Sequence, residues 1–164
     1  MSEKFSRPAT LEDLKTLIST LNQCGAEYLL IGGYAQFLHG YYRATTDIDL
    51  LVPASEEAGT KVRAALMLLP DQVARDIDPA WFAAGENIRV ADEFVVDVMF
   101  SAGAQTYETL KKYAETIDFH GLPIRTVNLE GLYLSKQTAR DKDAPDRAII
   151  ERALRELGWK PEAE

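Results

Sequence analysis

Cysteine is nearly absent from this sequence. Cys24 is the only one among 164 residues, which excludes an internal disulfide framework and suits a reducing compartment. No apolar run approaches the roughly 20 residues a membrane-spanning helix needs, and the opening MSEKFSRPAT has no apolar signal core, so a cytoplasmic, non-membrane protein is expected. Positive charge is in short supply. Lys and Arg number 18 against 26 Asp and Glu, for a net charge of −8. Broad, sequence-independent nucleic-acid binding relies on a positive surface and is disfavoured, although a local basic pocket is not. There are no repeats or low-complexity segments. What remains is ordinary for a globular protein, with 46% apolar and 27% charged residues. The length fits one domain with a buried core.

The chain is organised around residues 28 to 52, YLLIGGYAQFLHGYYRATTDIDLLV. Tyr28 to Ile31 reads as a short buried strand. Gly32–Gly33 ends it and opens a helix from Tyr34 to His39, closed by Gly40. Thr46 to Val52 is a second apolar run with Asp47 and Asp49 set into it. Strand side chains alternate, so the two aspartates share one face and Ile48 and Leu50 the other.

Aspartate is depleted in strands, and an unpaired buried charge is expensive. A hard cation between the two carboxylates resolves the conflict, and magnesium in particular shares its coordination with substrate phosphates. A Gly-Gly turn at a helix N-terminus lets backbone N–H groups approach an anion. Arg43, in the loop ahead of the aspartates, is a candidate phosphate contact, and Thr46 is a candidate donor to a carboxylate or phosphate. His39 is expected to be structural, bonded to backbone near Gly40. A calcium or structural-metal reading of Asp-Ile-Asp is the competing one; the Gly-Gly turn speaks against it.

A third carboxylate comes later. Asn87 to Val90 and Glu93 to Phe100 read as a hairpin turned around Ala91–Asp92. Asp97 stands alone in the apolar strand FVVDVMF and needs a reason to be there.

Elsewhere the pattern is helical. Residues 1 to 8 look like a loose arm. Thr10 caps a helix from Leu11 to Cys24, with Leu11, Leu14, Leu17, Ile18 and Leu21 on its apolar face. Ser55 caps another, from Glu56 to Leu69, whose last residues, 66 to 69, read as core. Residues 71 to 86 suggest a loop with Trp81 and Phe82 packed in it. Tyr107 to Ala114 is a short helix. Thr116 to His120 and Leu122 to Val127 form a strand pair about Gly121, with Pro123 marking an edge strand, and His120 has no role beyond the turn. A helix from Glu130 to Arg140 puts Lys136 and Arg140 on one face. A last helix starts near Asp143 and Pro145, buries Ile149, Ile150, Ala153 and Leu154, and ends at Gly158, leaving a tail.

The combination GGYA, HGYYRATTDIDLLV and a later strand aspartate resembles the nucleotidyltransferases of the polymerase-beta-like superfamily. It is most similar to the small bacterial branch that includes the toxins of abortive-infection toxin–antitoxin systems. LYLSKQTARDKDAPDRAII is a second point of resemblance. The resemblance implies an α/β (α+β) fold: a mixed sheet of about five strands packed with helices over residues 1–127, and a C-terminal helical pair over 128–164, in one domain. It implies catalytic, metal-holding Asp47, Asp49 and Asp97, with Asp97 a general base or an orienting group. It implies magnesium as cofactor, two ions, with manganese as a substitute. Gly32, Gly33, Arg43, Thr46 and Lys136 would hold a nucleoside triphosphate, Asp143 would orient, and Arg140, Lys142 and Asp146 stand in matching places. The acceptor of the nucleotide would be a tRNA, a protein or a small molecule, and a toxin would have a cognate antitoxin. A reading of another class is a nucleotide-binding or interaction protein that keeps the fold without turnover.

Overall fold

The computed structural model describes residues 6–41, 45–137 and 143–159. The first helix, α1 (Leu11–Gln23), is fixed by a reciprocal cap. The Thr10 side chain accepts from the Asp13 N–H at 3.2 Å, and the Asp13 carboxylate accepts from the Thr10 N–H at 2.8 Å. Leu14, Leu17, Ile18 and Leu21 on one face are buried, whereas Leu11, at the helix start, is exposed rather than part of the buried stripe. The segment before α1 is not a loose arm from Ser6 onward. The Ser6 hydroxyl donates to the Asp92 carbonyl at 2.7 Å. Backbone bonds run from Arg7 to Glu93 and from Ala9 to Thr46, both 2.9 Å.

β1 (Leu29–Ile31) is wholly buried and leads directly into α2 (Gly32–Leu38). β2 (Ile48–Leu51) follows. α3 (Glu56–Leu66), capped by Ser55, ends earlier than the apolar pattern suggests, so Leu68 falls beyond it and is exposed rather than core. α4 (Trp81–Ala84) is a single turn inside the expected loop. Its Phe82 is buried edge-on against Phe100 at 5.1 Å, while Trp81 is half-exposed.

β3 (Ile88–Ala91) and β4 (Val95–Met99) form the expected hairpin, but the turn is Asp92 to Phe94. The buried Asp92 carboxylate holds it, accepting backbone N–H bonds from Asp71, Val73 and Glu93 at 2.9, 3.0 and 2.7 Å. α5 (Tyr107–Leu110) precedes the hairpin of β5 (Ala114–Phe119) and β6 (Leu122–Val127). α6 (Leu129–Ser135) and α7 (Ala144–Glu156) make the C-terminal pair. On α7 the buried positions are Asp146, Ile150, Ala153 and Leu154; Ile149 is exposed, contrary to the expected stripe. Trp159 is not part of a free tail, because its ring packs on Tyr133 at 5.4 Å.

The strands make one six-stranded sheet in the order β3-β4-β2-β1-β6-β5, one more than expected. β2 runs antiparallel to β1 and parallel to β4, while β6 runs parallel to β1. β2 is therefore central and supported on both sides. β6 is also interior, so Pro123 does not mark an edge. Phe119 and Leu122 close a two-residue turn, which makes Asp118 and Pro123 a pair that exchanges no backbone bonds. The missing proline N–H faces β1, which reaches β6 only at Thr126. Among the described residues no helix is long and apolar enough to cross a membrane.

Candidate active site

The two central strands carry the carboxylates. Asp47 sits at the bend entering β2 and Asp49 within it. Ile48 and Leu50 between and after them are fully buried, so strand alternation turns both aspartates to the other face. β4 repeats the arrangement, with Asp97 between buried Val96 and Val98. In the parallel β2–β4 ladder Asp49 stands directly opposite Asp97. Sheet register alone thus brings the three acids together.

That crowding has an electrostatic signature. The Asp49 carboxyl is pushed up to about 7, first by burial and next by the negative charge of Asp97; Asp47 adds to the effect and the Lys136 ammonium opposes it. A residue the sequence reading missed lies over Asp47 and Asp97. The Arg89 guanidinium, from β3, places one nitrogen, Nη1, 3.3 Å from each Asp97 oxygen and 3.4 Å from Asp47 Oδ2. Its place follows from register, since Arg89 pairs with Asp97 across the hairpin, and that register depends on where the hairpin turns.

The glycines serve the carboxylates. Gly32 has φ +75°, and a Cβ there would overlap the Asp49 carboxylate. A Cβ on Gly33 would lie 2.7 Å from the Thr45 side chain. The anion that this turn approaches within the protein is therefore Asp49 itself. Thr46 Oγ1 is 3.2 Å from Asp47 Oδ1 and donates to it.

Beside Asp49 lies a cleft of about 170 Å³ lined by Gly32, Asn87, Ser101, Gly103 and Lys136, among others. Lys136 follows the last turn of α6 and is almost buried. Its Nζ lies 3.4 Å from Asp143 Oδ1 and 3.2 Å from Asp146 Oδ2, both acids also buried. Asp143 occupies the N-cap position of α7, but its carboxylate makes no capping bond and turns to Lys136 instead. Arg147 donates to the Lys136 carbonyl at 2.9 Å, tying the start of α7 to the end of α6. Arg43, Arg140 and Lys142 lie outside the described residues. His39 is bonded to the Val127 carbonyl at 2.8 Å, on the far strand β6 rather than near Gly40, and takes no part in the site.

A hard divalent cation fits the donor chemistry, since three carboxylates converge and the Gly32 cradle admits one of them. As the side chains stand they do not close around an ion. Among the described residues no group of three or more His, Cys, Asp or Glu is drawn together to that extent. Arg89 occupies the approach to Asp47 and Asp97.

No protein-family model matches the chain. No curated protein matches it either. A crystal structure from Thermotoga maritima, described as that of a "putative nucleotidyltransferase", aligns over 91% of each chain with a TM-score of 0.53 and 16% identity. The two chains share a fold. At that identity the likeness speaks for the architecture, and the chemistry rests on the residues above.

Proposed function

We propose that this protein is a metal-dependent nucleotidyltransferase that moves a nucleoside monophosphate from a nucleoside triphosphate to an acceptor hydroxyl. The observation that carries the reading is the placement of Asp47, Asp49 and Asp97 along two adjacent parallel strands, with Asp49 set against a positive-φ glycine turn and lining a cleft that contains Lys136. Asp47, Asp49 and Asp97 would hold magnesium, two ions in the full site, or manganese in its place. When bound, the cation neutralises the triphosphate and the charge that develops on the leaving group. Lys136, held by Asp143 and Asp146, contributes a fixed positive charge beside Asp49 for the phosphates. Gly32 lines the adjacent wall with Gly33 next to it in the turn, Thr46 precedes Asp47, and Arg43, four residues ahead of Asp47 in the sequence, would supply a further phosphate contact. Asp97 receives the proton of the attacking hydroxyl. The acceptor oxygen forms a bond to the α-phosphorus, the bond from that phosphorus to the bridging oxygen breaks, and pyrophosphate departs. Catalysis is then chiefly positioning and charge neutralisation.

Candidate acceptors are a tRNA, a protein hydroxyl and a small molecule. The sequence resemblance supports a toxin role with a neutralising antitoxin. The net charge of −8 favours a small or locally recognised acceptor over a long nucleic-acid track. One observation favours a binding-only reading, namely that Arg89 spans two of the three carboxylates.

The test is label transfer from each α-labelled nucleoside triphosphate, with magnesium, to total tRNA and then to cell protein. Transfer that is lost in Asp47→Ala/Asp49→Ala supports the enzyme and identifies the acceptor class. Magnesium-dependent triphosphate binding without transfer to any acceptor supports the binding-only reading.

A further inference from the structure

We propose that Arg89 is a displaceable counter-ion of the acidic site, which neutralises Asp47 and Asp97 in the metal-free protein and competes with the divalent cation for them. The inference rests on the metal-binding reading above and adds a residue that sets the affinity of that site.

Three observations carry it. The first is register. Arg89 stands opposite Asp97 in the β3–β4 ladder, so the backbone delivers its side chain to the carboxylates. The second is exclusivity. Among the described residues the hydrogen bonds of Arg89 all go to Asp47 and Asp97, through the single nitrogen Nη1. Other arginines near the fold's supports are anchored to backbone, as Arg63 is to the carbonyls of Ala74 and Arg75. The third is the weakness of the hold. The contacts are 3.3 to 3.4 Å, none uses the bidentate fork of guanidinium on one carboxylate, and the side chain is 61% exposed. Such a pair is screened and can part without opening a cavity.

Lys136 sets the contrast. Among the described residues it is the other cation beside the acids, and it is 10% exposed between two acids that are 2% and 7% exposed. A cation built that way stays in place. Arg89 has the opposite construction, with charge supplied where carboxylates crowd and no other described residue fastening it. The carboxylates cannot surround an ion while the guanidinium spans two of them. A cation that enters must displace it, and its apparent affinity is lowered by the competition.

The experiment is calorimetric titration of chelator-treated full-length protein with manganese at low ionic strength. Arg89→Gln and Arg89→Ala are compared with wild type, and Asp49→Asn is the negative control. Circular dichroism and thermal melting check that each variant is folded. Removing one weakly held, solvent-facing charge is expected to tighten manganese binding by about 3- to 10-fold in both Arg89 variants. Raising the salt from about 20 to about 300 mM should narrow the gap to wild type by screening the guanidinium. Equal or weaker binding in folded Arg89 variants, with binding still lost in Asp49→Asn, overturns the counter-ion role and leaves the metal site standing. No manganese binding by wild type or by either Arg89 variant overturns the metal reading and the proposal together.

Discussion

Gly32 and Asp49 occupy the same space: the carboxylate of Asp49 fills the position where any side chain on residue 32 would begin. Two effects therefore oppose Gly32→Ala. Alanine in the left-handed region costs about 1 kcal/mol, and the new methyl must push a half-buried carboxylate off the sheet face. Gly121 provides the control. Its φ is +84°, but nothing lies within 4 Å of a Cβ there. Gly121→Ala is expected to cost about 1 kcal/mol in urea unfolding, and Gly32→Ala about 3 kcal/mol. The glycine variant at the site should also lose manganese binding, which the turn variant keeps.

The Asp49 carboxyl makes a second, opposite prediction. Its folded value lies near 7, against 3.8 for an ordinary aspartate. Between those values the folded state carries a proton that the unfolded state has released, so stability falls as pH rises through this window. The penalty is complete above about pH 7. Asp49→Asn removes it, and with chelator present the variant should be more stable than wild type at pH 8, by up to about 4 kcal/mol. The difference should vanish below about pH 4. Added magnesium should reverse the order, raising the melting temperature of wild type alone. Thermal melts across pH with and without the ion check all three points.

Much of this site was legible in the sequence because it depends on period-two alternation and on glycine chemistry. Asp47, Asp49 and Asp97 interrupt apolar runs, and an interrupted buried strand advertises its exception. Arg89 was not legible, because its position depends on a turn. A hairpin turned at Ala91–Asp92 would set Arg89 against Phe94. The observed turn, Asp92 to Phe94, sets it against Asp97. What fixes that turn is the Asp92 carboxylate binding the Asp71 and Val73 N–H groups, a contact between distant segments. Pro123 misled for a related reason: its missing donor is harmless because the neighbouring β1 is only three residues long. Ile149 and Leu68 misled because an apolar residue next to a buried stripe is not itself within the stripe.

The N-terminal segment offers a test remote from the site. Arg7 Nη1 is 2.5 Å from Asp13 Oδ2 and Nη2 is 2.9 Å from Oδ1, a paired fork that also braces the α1 cap. The hydrogen bonds from Arg7, foremost, hold the Asp13 carboxyl below the usual aspartate range. A lowered value stabilises the fold at pH above the unfolded value, and that contribution is lost as pH falls through the folded one. Arg7 is exposed to solvent, so the pair is screened and the effect is small. Arg7→Gln should lower stability only slightly at pH 7 in urea unfolding and show no difference from wild type at about pH 2.

Lys136 is the position where structure and proposed chemistry are hardest to separate. Its ammonium lies between Asp143 and Asp146 at the junction of α6 and α7, and it also faces the cleft beside Asp49. Removing one partner of a buried ion pair leaves uncompensated charge, which costs about 3 kcal/mol, whereas exposed pairs cost a fraction of that. Lys136→Met is accordingly expected to lose about 3 kcal/mol. Arg155→Ala, which breaks only the exposed pair with Glu151, should lose under about 0.5 kcal/mol. To separate the roles, Lys136→Met is compared with Lys136→Met/Asp143→Asn/Asp146→Asn. Neutralising the two acids with the lysine should recover about half of the lost stability. It should recover none of the triphosphate affinity if the ammonium binds phosphate directly. Equal recovery of stability and triphosphate affinity would make Lys136 a strut for the α6–α7 junction and not a phosphate contact.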